Sequence, residues 1–250
     1  MNPILNQLFE RKSVRVFEDK PISDQDKQLI FAAATQAPSA GNTQLYAMID
    51  VTDQSIKEQL AQTCDNQPFI AKAPMVVVFC ADYQRLYEGM KMFVDESIRQ
   101  PAMGDCFLAM ADTFIAAANA EVAATSLGIG SCYIGDIIEH YEIHQQLFQL
   151  PPYVIPVCML VFGYPTHQQT QRIKPTRFPV ESLVHNNSYN PWVAADHHQH
   201  VNYRATHGKL VNVTTTSYYT DLATRKYTAA FSLEMNRSTK KMIEAFYKNQ

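Results

Sequence analysis

A short basic stretch near the start of the chain carries the side chains best suited to binding an anion. It reads Arg11-Lys-Ser-Val-Arg15, with Phe17 two positions later. In an extended segment neighbouring side chains point to opposite faces, so Ser13, Arg15 and Phe17 would share one face and the intervening valines the other. The valines would anchor the backbone to a core. The opposite face then offers a hydroxyl and guanidinium groups, the array that a phosphate monoester needs.

A second basic pair lies far along the chain, in a loop restrained by prolines. Lys174 and Arg177 stand within Ile173-Lys-Pro-Thr-Arg-Phe-Pro179. Proline fixes one backbone dihedral angle, so both side chains would sit on a stiff segment. Two basic clusters on rigid segments predict one anionic ligand held from two sides.

The same segments resemble the signature of the flavin-dependent nitroreductase superfamily. Within it the chain is most similar to the branch of oxygen-insensitive NADPH nitroreductases and NADPH-flavin oxidoreductases. Order and spacing match over about the first 190 residues, and the resemblance fades after Trp192. The matching segments are Arg11–Arg15 followed by Pro21–Ser23, Ala37–Ser39, Gln67 with Val78–Asp82, Ser126–Gly130 through Tyr133–Gly135, Lys174–Arg177 and Leu183–Tyr189.

The resemblance implies a tightly but non-covalently bound flavin mononucleotide, FMN. In such enzymes the positions of Arg11, Ser13 and Arg177 hold the phosphate, and Lys12 lies in the same stretch. Lys174-Pro-Thr-Arg177 has one residue more than the common Lys-Pro-Arg form, so the resemblance fixes Arg177 less firmly than Lys174. The alternative for the isolated pentapeptide is a solvated basic face at a helix end, favoured by the helix dipole.

By the same resemblance, other residues approach the flavin ring. Arg15 and Lys174 would lie at its pyrimidine edge, where a fixed cation stabilises the negative charge of the reduced ring near N1. Gln67 would hydrogen-bond the ring with Phe69 beside it, and Ser39 would also contact the cofactor. Without the resemblance, Ser39 is ordinary turn chemistry and Gln67 marks a helix N-terminus before a proline.

The segment Tyr133-Ile134-Gly135-Asp136 follows a predicted buried strand and would run along the flavin face. Glycine permits close approach of the backbone, and backbone donors near N5 and O4 would replace any side-chain acid. We therefore predict no catalytic side chain. Close relatives commonly carry a second glycine where this chain has Asp136, so its substrate choice can differ from theirs.

Composition limits the class of protein. With 250 residues, 46% of them hydrophobic, the chain can bury a sizeable core. A net charge of −3 argues against binding to nucleic acid or to a membrane surface. Five cysteines without a C-x-x-C pair indicate a reducing compartment, and no signal peptide or membrane span is read. We expect a cytoplasmic protein.

Hydrophobic periodicity predicts helices and strands without an internal repeat. Predicted helices follow Pro3, Ser23 and Asp53 and cover residues 105–126, 137–148, 217–227 and 236–248, and predicted strands cover 45–51, 75–81, 132–134 and 157–162. Residues 88–104 lack clear periodicity, which is compatible with a flexible cover. The alanine-rich helix 105–126 can approach another element closely, so we expect it at the centre of the fold or of a dimer.

The predicted fold class is α+β, with the nitroreductase-like arrangement of a central, mostly antiparallel sheet flanked by helices. Residues 1–190 would form the FMN-binding domain. Residues 191–250 would add a C-terminal helical extension that belongs to the same globular unit. The resemblance also implies an intertwined homodimer with two FMN sites at the subunit interface.

The predicted activity is that of an FMN-dependent oxidoreductase, which takes hydride from NADPH or NADH and passes electrons to nitroaromatics, quinones or free flavin. Transfer through flavin N5 in one shared pocket implies ping-pong kinetics. Arg204, Lys209 and Arg225 are candidates for binding the NADPH 2′-phosphate. Three alternatives stay open: a superfamily member that dehalogenates substrates or fragments flavin, a flavin carrier or sensor without turnover, and a structural domain without cofactor.

The tract Asp196-His-His-Gln-His200 invites a metal interpretation. It lacks the histidine pair at i, i+4 and the separate carboxylate of a catalytic metal site. We predict a solvated helix face there and no bound metal.

Overall fold

The computed structural model of the chain describes residues 2–208 and 213–247. Contacts divide the chain into two compact units. One runs as far as Arg172 and resumes at Glu234, and the other is Ile173–Leu233. The predicted division at residue 190 stays a prediction. The two units are described separately below.

A four-stranded antiparallel sheet forms the middle of the first unit, with its strands in the order β1-β2-β4-β3. The strands are β1 (Tyr46–Asp50), β2 (Met75–Asp82), β3 (Gly130–Ile134) and β4 (Val154–Gly163). Every residue of β2 and β4 is buried, as their unbroken apolar runs indicate. The predicted antiparallel sheet is confirmed.

The helices follow one another along both units. They are α1 (Pro3–Glu10), α2 (Asp24–Thr35), α3 (Gln54–Thr63), α4 (Phe69–Lys72), α5 (Gln84–Phe93), α6 (Met103–Ser126), α7 (Tyr141–Leu147), α8 (His167–Gln171), α9 (Ala194–His207), α10 (Thr215–Leu222) and α11 (Ala230–Tyr247). Short 3₁₀ turns lie at Ala40–Asn42, Gly135–Ile138 and Val180–Ser182, and a π-helical turn, Ala223–Tyr227, follows α10.

Helices cover both faces of the sheet because consecutive residues of its central strands point to opposite sides. Val76 and Val78 pack with buried side chains of α3 and α4 on one side. Val77 and Phe79 pack with those of α2 and α6 on the other side. The first unit is therefore a sheet between two helical layers.

The residues predicted to start helices do so. Ser23 Oγ accepts a hydrogen bond from the Asp26 backbone N–H at 3.1 Å, and Asp53 Oδ1 accepts one from Ser55 at 2.7 Å. The first turn of a helix leaves backbone N–H groups without internal partners, and these side chains satisfy them. Pro3 opens α1 as predicted.

Helix α6 is the core helix that its alanines predict. Ala116, Ala117 and Ala120 are fully buried, and the helix contacts all four strands. Gly128, with φ of 73°, follows its end in the left-handed conformation that favours glycine. Within the described residues it is also the one helix long and apolar enough to cross a membrane, but 44% of that stretch is buried inside the protein.

Several sequence predictions need correction. The expected cover at 88–104 is wrong for its first part, because α5 continues to Phe93. The helix predicted at 137–148 divides into a 3₁₀ turn and α7, and the one at 217–227 into α10 and the π-helical turn. Helix α11 contains the segment predicted from Asn236, and Lys248 lies outside the described residues.

Candidate functional site

The basic N-terminal segment lies across the paired ends of β3 and β4. The backbone N–H of Val14 donates to Ser131 O at 2.9 Å. A Cβ added to Gly130 would lie 2.5 Å from Val14 Cγ2, and one added to Gly163 would lie 2.6 Å from the Phe17 ring. Gly130 and Gly163 face each other in the strand pairing. Neither glycine has a side chain where the segment passes, so the segment can approach the sheet closely.

The predicted alternation of this segment holds only at its start. Val14 is 5% exposed and anchors the chain, but Val16 is 48% exposed, so its predicted anchoring role is wrong. Phe17, expected on the ligand face, packs against the core instead. The space above Gly163 accepts the Phe17 ring, and the preceding valine then points outward. Arg15 remains on the accessible side.

The first two basic side chains of the segment have partners within the protein. Arg11 Nε donates to Glu121 Oε1 at 2.6 Å, and Glu121 is buried in α6. Lys12 Nζ lies 2.6 Å from both Thr170 O and Arg172 O at the C-terminal end of α8, where a helix favours a cation. These contacts use one N–H of Arg11 and two of Lys12. Their phosphate roles stay predictions.

Four predicted site residues meet in one contiguous set, which we call the Gln67 cluster: Arg15, Gln67, Phe69 and Asp136. The Arg15 guanidinium lies 5.9 Å from the centre of the Phe69 ring. Gln67 Nε2 donates to Asp136 Oδ2 at 2.8 Å and to Cys64 O at 2.9 Å. Three separate segments therefore contribute a cation, an aromatic ring with a neighbouring carboxamide, and a carboxylate.

The backbone before Gln67 is unusual. Asp65 and Asn66 have φ values of 57° and 50°, in the left-handed region that aspartate and asparagine adopt more readily than most residues other than glycine. The Gln67 backbone N–H then donates to Ala61 O at 2.7 Å, which closes the turn after α3. The side chain of Gln67 extends from this turn to Asp136.

The segment predicted to run along the flavin face ends β3. Tyr133 is half-buried and Ile134 is buried, whereas Gly135 is exposed. A Cβ added to Gly135 would meet no atom within 4 Å. The packing of the chain itself therefore does not require glycine there, and the open space is available to a ligand.

Ser39 belongs to a different loop. Its Oγ accepts a hydrogen bond from the Gln44 backbone at 3.1 Å. The loop is held by Asp112 of α6, whose two carboxylate oxygens accept from Ala40 N at 2.9 Å and from Leu45 N at 3.2 Å. Asp112 is 3% exposed, so these bonds satisfy a carboxylate that would otherwise be buried alone.

Several buried acids were missed from the sequence, among them Asp112, Glu121 and Glu139. The first two stand in an otherwise alanine-rich, apolar helix. A carboxylate buried in such a helix needs a hydrogen-bonding or cationic partner, so its presence is a signal that a distant segment docks there. Glu139 follows the turn that carries Asp136, and its sequence context carries no comparable signal.

Lys174 and Arg177 belong to the second unit, so their convergence with Arg11 and Arg15 stays a prediction. Arg204 lies on α9, where Nη1 donates to Tyr218 Oη at 2.7 Å. Arg225 forms an exposed ion pair with Asp221 at 3.0 Å. Lys209 lies outside the described residues. The predicted NADPH contacts of these side chains stay predictions.

The histidine tract of the second unit forms part of α9, but its predicted solvation is wrong at one position. His200 is 5% exposed and stacks on Phe178 with ring centres 4.2 Å apart. Burial lowers the pKa of His200, helped by the nearby charge of Arg204. Aromatic side chains from outside α9, including Trp192 and Tyr218, enclose this ring.

Glu139 predicts a pH dependence of stability. Burial, with the carboxylates of Asp136, Asp65 and Glu234 nearby, raises the pKa of Glu139 to about 8. A folded-state pKa above the unfolded value gives stability that is complete below about pH 4.5 and is lost as the pH rises through 8. We expect Glu139→Gln to leave Tm nearly unchanged at pH 5 and to raise it relative to wild type by roughly 3 °C or more at pH 8.5.

Glu142→Gln is the matched control, because Arg237 lowers the pKa of Glu142 to about 2 through hydrogen bonds. That sign is opposite, so the control should lower Tm at neutral pH and lose its effect as the pH falls. Calorimetric scans across pH 2–9 would measure both series, because the stability contributed by Glu142 is lost only as the pH falls from about 4.5 through 2. Parallel curves for wild type and Glu139→Gln would contradict a shifted pKa.

Comparison with known proteins places the chain among related sequences. The profile of the Nitroreductase family matches residues 8–164. An oxygen-insensitive NADPH nitroreductase of Salmonella typhimurium is 31% identical over 191 residues, which cover 76% of each chain. An FMN reductase [NAD(P)H] of Bacillus subtilis is 30% identical over 197 residues, 76% of this chain and 75% of that one. An NADPH-flavin oxidoreductase of Vibrio harveyi is 30% identical over 189 residues, again 76% and 75%.

Solved structures show the same similarity over nearly the whole chain. B. megaterium NfrA1 superposes with a TM-score of 0.80 at 29% identity and covers 96% of this chain and 98% of its own. A second structure, B. megaterium NfrA2, reaches a TM-score of 0.76 at 26% identity, covering 95% and 98%. The resemblance predicted from the sequence motifs is confirmed. The chain belongs to the nitroreductase family.

Proposed function

We propose that this protein is an FMN-dependent NAD(P)H oxidoreductase that reduces nitroaromatics, quinones or free flavin. The observation that carries the proposal is the Gln67 cluster, which joins residues that the family resemblance assigns independently to one cofactor. The names of the relatives, which include an FMN reductase and an NADPH nitroreductase, support the same activity.

The residues present fit this cofactor chemically. FMN combines an anionic phosphate with a planar ring that carries hydrogen-bonding groups along its edge. Ser13 and Arg15 offer a hydroxyl and a guanidinium on the accessible side of their segment. Phe69 supplies an apolar aromatic surface, Gln67 a carboxamide, and Gly135 the open space that close contact requires. An anionic, planar ligand matches all five.

When bound, FMN would supply the hydride chemistry at its N5 atom. The chain would contribute orientation and charge. Arg15 would place a fixed cation beside the ring. The family resemblance also assigns Lys174 and Arg177 to the cofactor, and these two assignments stay predictions. The backbone at Gly135 would donate hydrogen bonds without the bulk of a side chain. No side chain needs to act as general base, in keeping with the absence of a predicted catalytic residue.

The electron donor we propose is NADPH, with NADH as a second substrate. The names of the relatives support NADPH. Arg204, Lys209 and Arg225 remain the candidates for its 2′-phosphate. Arg225 is held by Asp221 only at the surface, so exchange of that partner for a phosphate costs little.

We also propose a homodimer located in the cytoplasm. One face of α6 exposes several large apolar side chains, with Phe107 61% exposed and Leu108 49% exposed. Phe114 and Ile115, seven residues further along the helix, continue this face. Contiguous apolar surface of this kind marks an interaction site. Five free, buried cysteines support a reducing compartment.

An anaerobic absorption experiment tests the activity. The purified protein should be yellow, and NADPH should bleach it. Nitrofurazone or menadione should then restore the colour, because electrons pass on to these acceptors. A flavin carrier would stay yellow with NADPH, and a structural domain would purify colourless even after FMN is added. A dehalogenase would bleach but regain colour with a halogenated aromatic rather than with nitrofurazone.

Arg15→Ala tests the cofactor contact. A charge-assisted hydrogen bond to FMN would be lost, so the Kd for FMN should rise about 10- to 100-fold. Equilibrium dialysis with fluorescence detection would measure it. Lys20→Ala is the matched control, because Lys20 also carries a cation over an aromatic ring, that of Tyr164, outside the proposed site. Equal FMN affinity in the two variants would count against the assignment of Arg15.

The apolar face of α6 predicts the assembly state. Leu108→Asp places a charge in the middle of that face, so the protein should sediment as a monomer where wild type sediments as a dimer. Ile143→Asp, at an exposed apolar residue of α7, should leave the dimer intact. Sedimentation velocity at micromolar concentration distinguishes these states. A monomeric wild type would refute the proposed assembly.

A further inference from the structure

The carboxamide of Gln67 is held in one of its two possible orientations. Both N–H bonds of Nε2 are used, one toward Cys64 O at 2.9 Å and the other toward Asp136 Oδ2 at 2.8 Å. Rotating the amide by 180° would set its oxygen against these two oxygen acceptors. The observed orientation therefore leaves Oε1 as the group that Gln67 can offer to a ligand, and that atom only accepts hydrogen bonds.

Asp136 is the partner in this pair that is distant in the sequence. Cys64 O is a local backbone contact from three residues earlier, whereas Asp136 reaches Gln67 from the 3₁₀ turn after β3. A lone backbone carbonyl leaves an exposed amide free to rotate. A carboxylate that accepts from the second N–H removes this freedom, and hydrogen bonds to charged groups are the stronger ones.

A second carboxyl group, that of Glu139, lies next to Asp136. Glu139 is buried, and its backbone N–H donates to Asp136 O at 3.0 Å. Its Oε1 has no hydrogen-bond partner among the described residues. The Asp136 carboxylate therefore lies between the Gln67 amide and a buried carboxyl group, and the backbone contact with Glu139 holds its turn.

We propose that Asp136 is a positioning residue, which fixes Gln67 as a hydrogen-bond acceptor for the N3–H group of the flavin ring. This inference rests on the proposed function. The oxidised flavin ring carries a single N–H, at N3, and its other edge heteroatoms are acceptors. An acceptor-only Gln67 that contacts the ring can therefore satisfy N3–H and no other edge atom. Asp136 would select the flavin orientation without touching the cofactor.

Flavin exchange on the holoenzyme tests the inference. The FMN-loaded protein is incubated with an excess of N3-methyl-FMN, which lacks the N3–H donor, and the bound flavins are separated and quantified. Wild type should prefer FMN by about 10-fold or more, because methylation leaves Gln67 Oε1 without a donor. Asp136→Ala should reduce this preference to below about 3-fold, since the freed carboxamide can turn its N–H groups toward the ring.

Two further variants separate positioning from loss of charge or of fold. Asp136→Asn keeps an oxygen acceptor for Gln67 and should retain the wild-type preference within about 3-fold. Asp65→Asn removes a neighbouring carboxylate that also faces Glu139, at a left-handed position that asparagine tolerates, and should leave the preference unchanged.

The outcomes are distinguishable. Wild type that retains no FMN would overturn the proposed function, and this inference with it. Wild type that holds FMN but exchanges it freely for the N3-methyl form would overturn only the role of Gln67 as acceptor. Full preference in Asp136→Ala would overturn the role of Asp136 and leave the oxidoreductase assignment standing.

Discussion

Two carboxylates buried in α6 each bind a segment that is distant in the sequence and hold it against the helix. Asp112 accepts two backbone hydrogen bonds and closes the loop that contains Ser39, and Glu121 receives the Arg11 guanidinium. The two residues are nine positions apart, about two and a half turns, so they face opposite sides of the helix. A charge buried without partners is strongly unfavourable. The helix thus dictates that both segments dock on it.

The surroundings of the Gln67 cluster differ from those of Asp112 and Glu121. Here several carboxyl groups lie close to one another instead of each pairing with a cation or with backbone donors. Asp136, Glu139 and Asp65 lie near one another, and a proton retained on Glu139 relieves their mutual repulsion. Arg15, also a member of the cluster, lies 5.9 Å from the centre of the Phe69 ring. One side of the candidate site therefore carries positive charge and the other carries hydrogen-bond acceptors, a division that matches the phosphate and the ring of the proposed cofactor.

The sequence predicted those features that depend on local chemistry or on long apolar runs. Strands β2 and β4 are recognisable because every residue is buried, and the caps at Ser23 and Asp53 because short polar side chains precede apolar repeats. Features that depend on distant partners were missed or misjudged. Lys12 meets carbonyl groups at Thr170 and Arg172, and His200 is buried by aromatic residues from other elements. No local pattern encodes such contacts.

The facing glycines at the ends of β3 and β4 leave the space in which the N-terminal segment packs against the sheet. Any side chain at Gly130 or Gly163 would lift Val14 or Phe17 from the sheet and displace Arg15 with them. Cofactor loss could then arise from a change that removes no charge and touches no predicted ligand contact. An inactive variant at either glycine would thus indicate that an intact binding group is misplaced. A second substitution that shortens Val14 or Phe17 would make room for the new side chain and should restore binding.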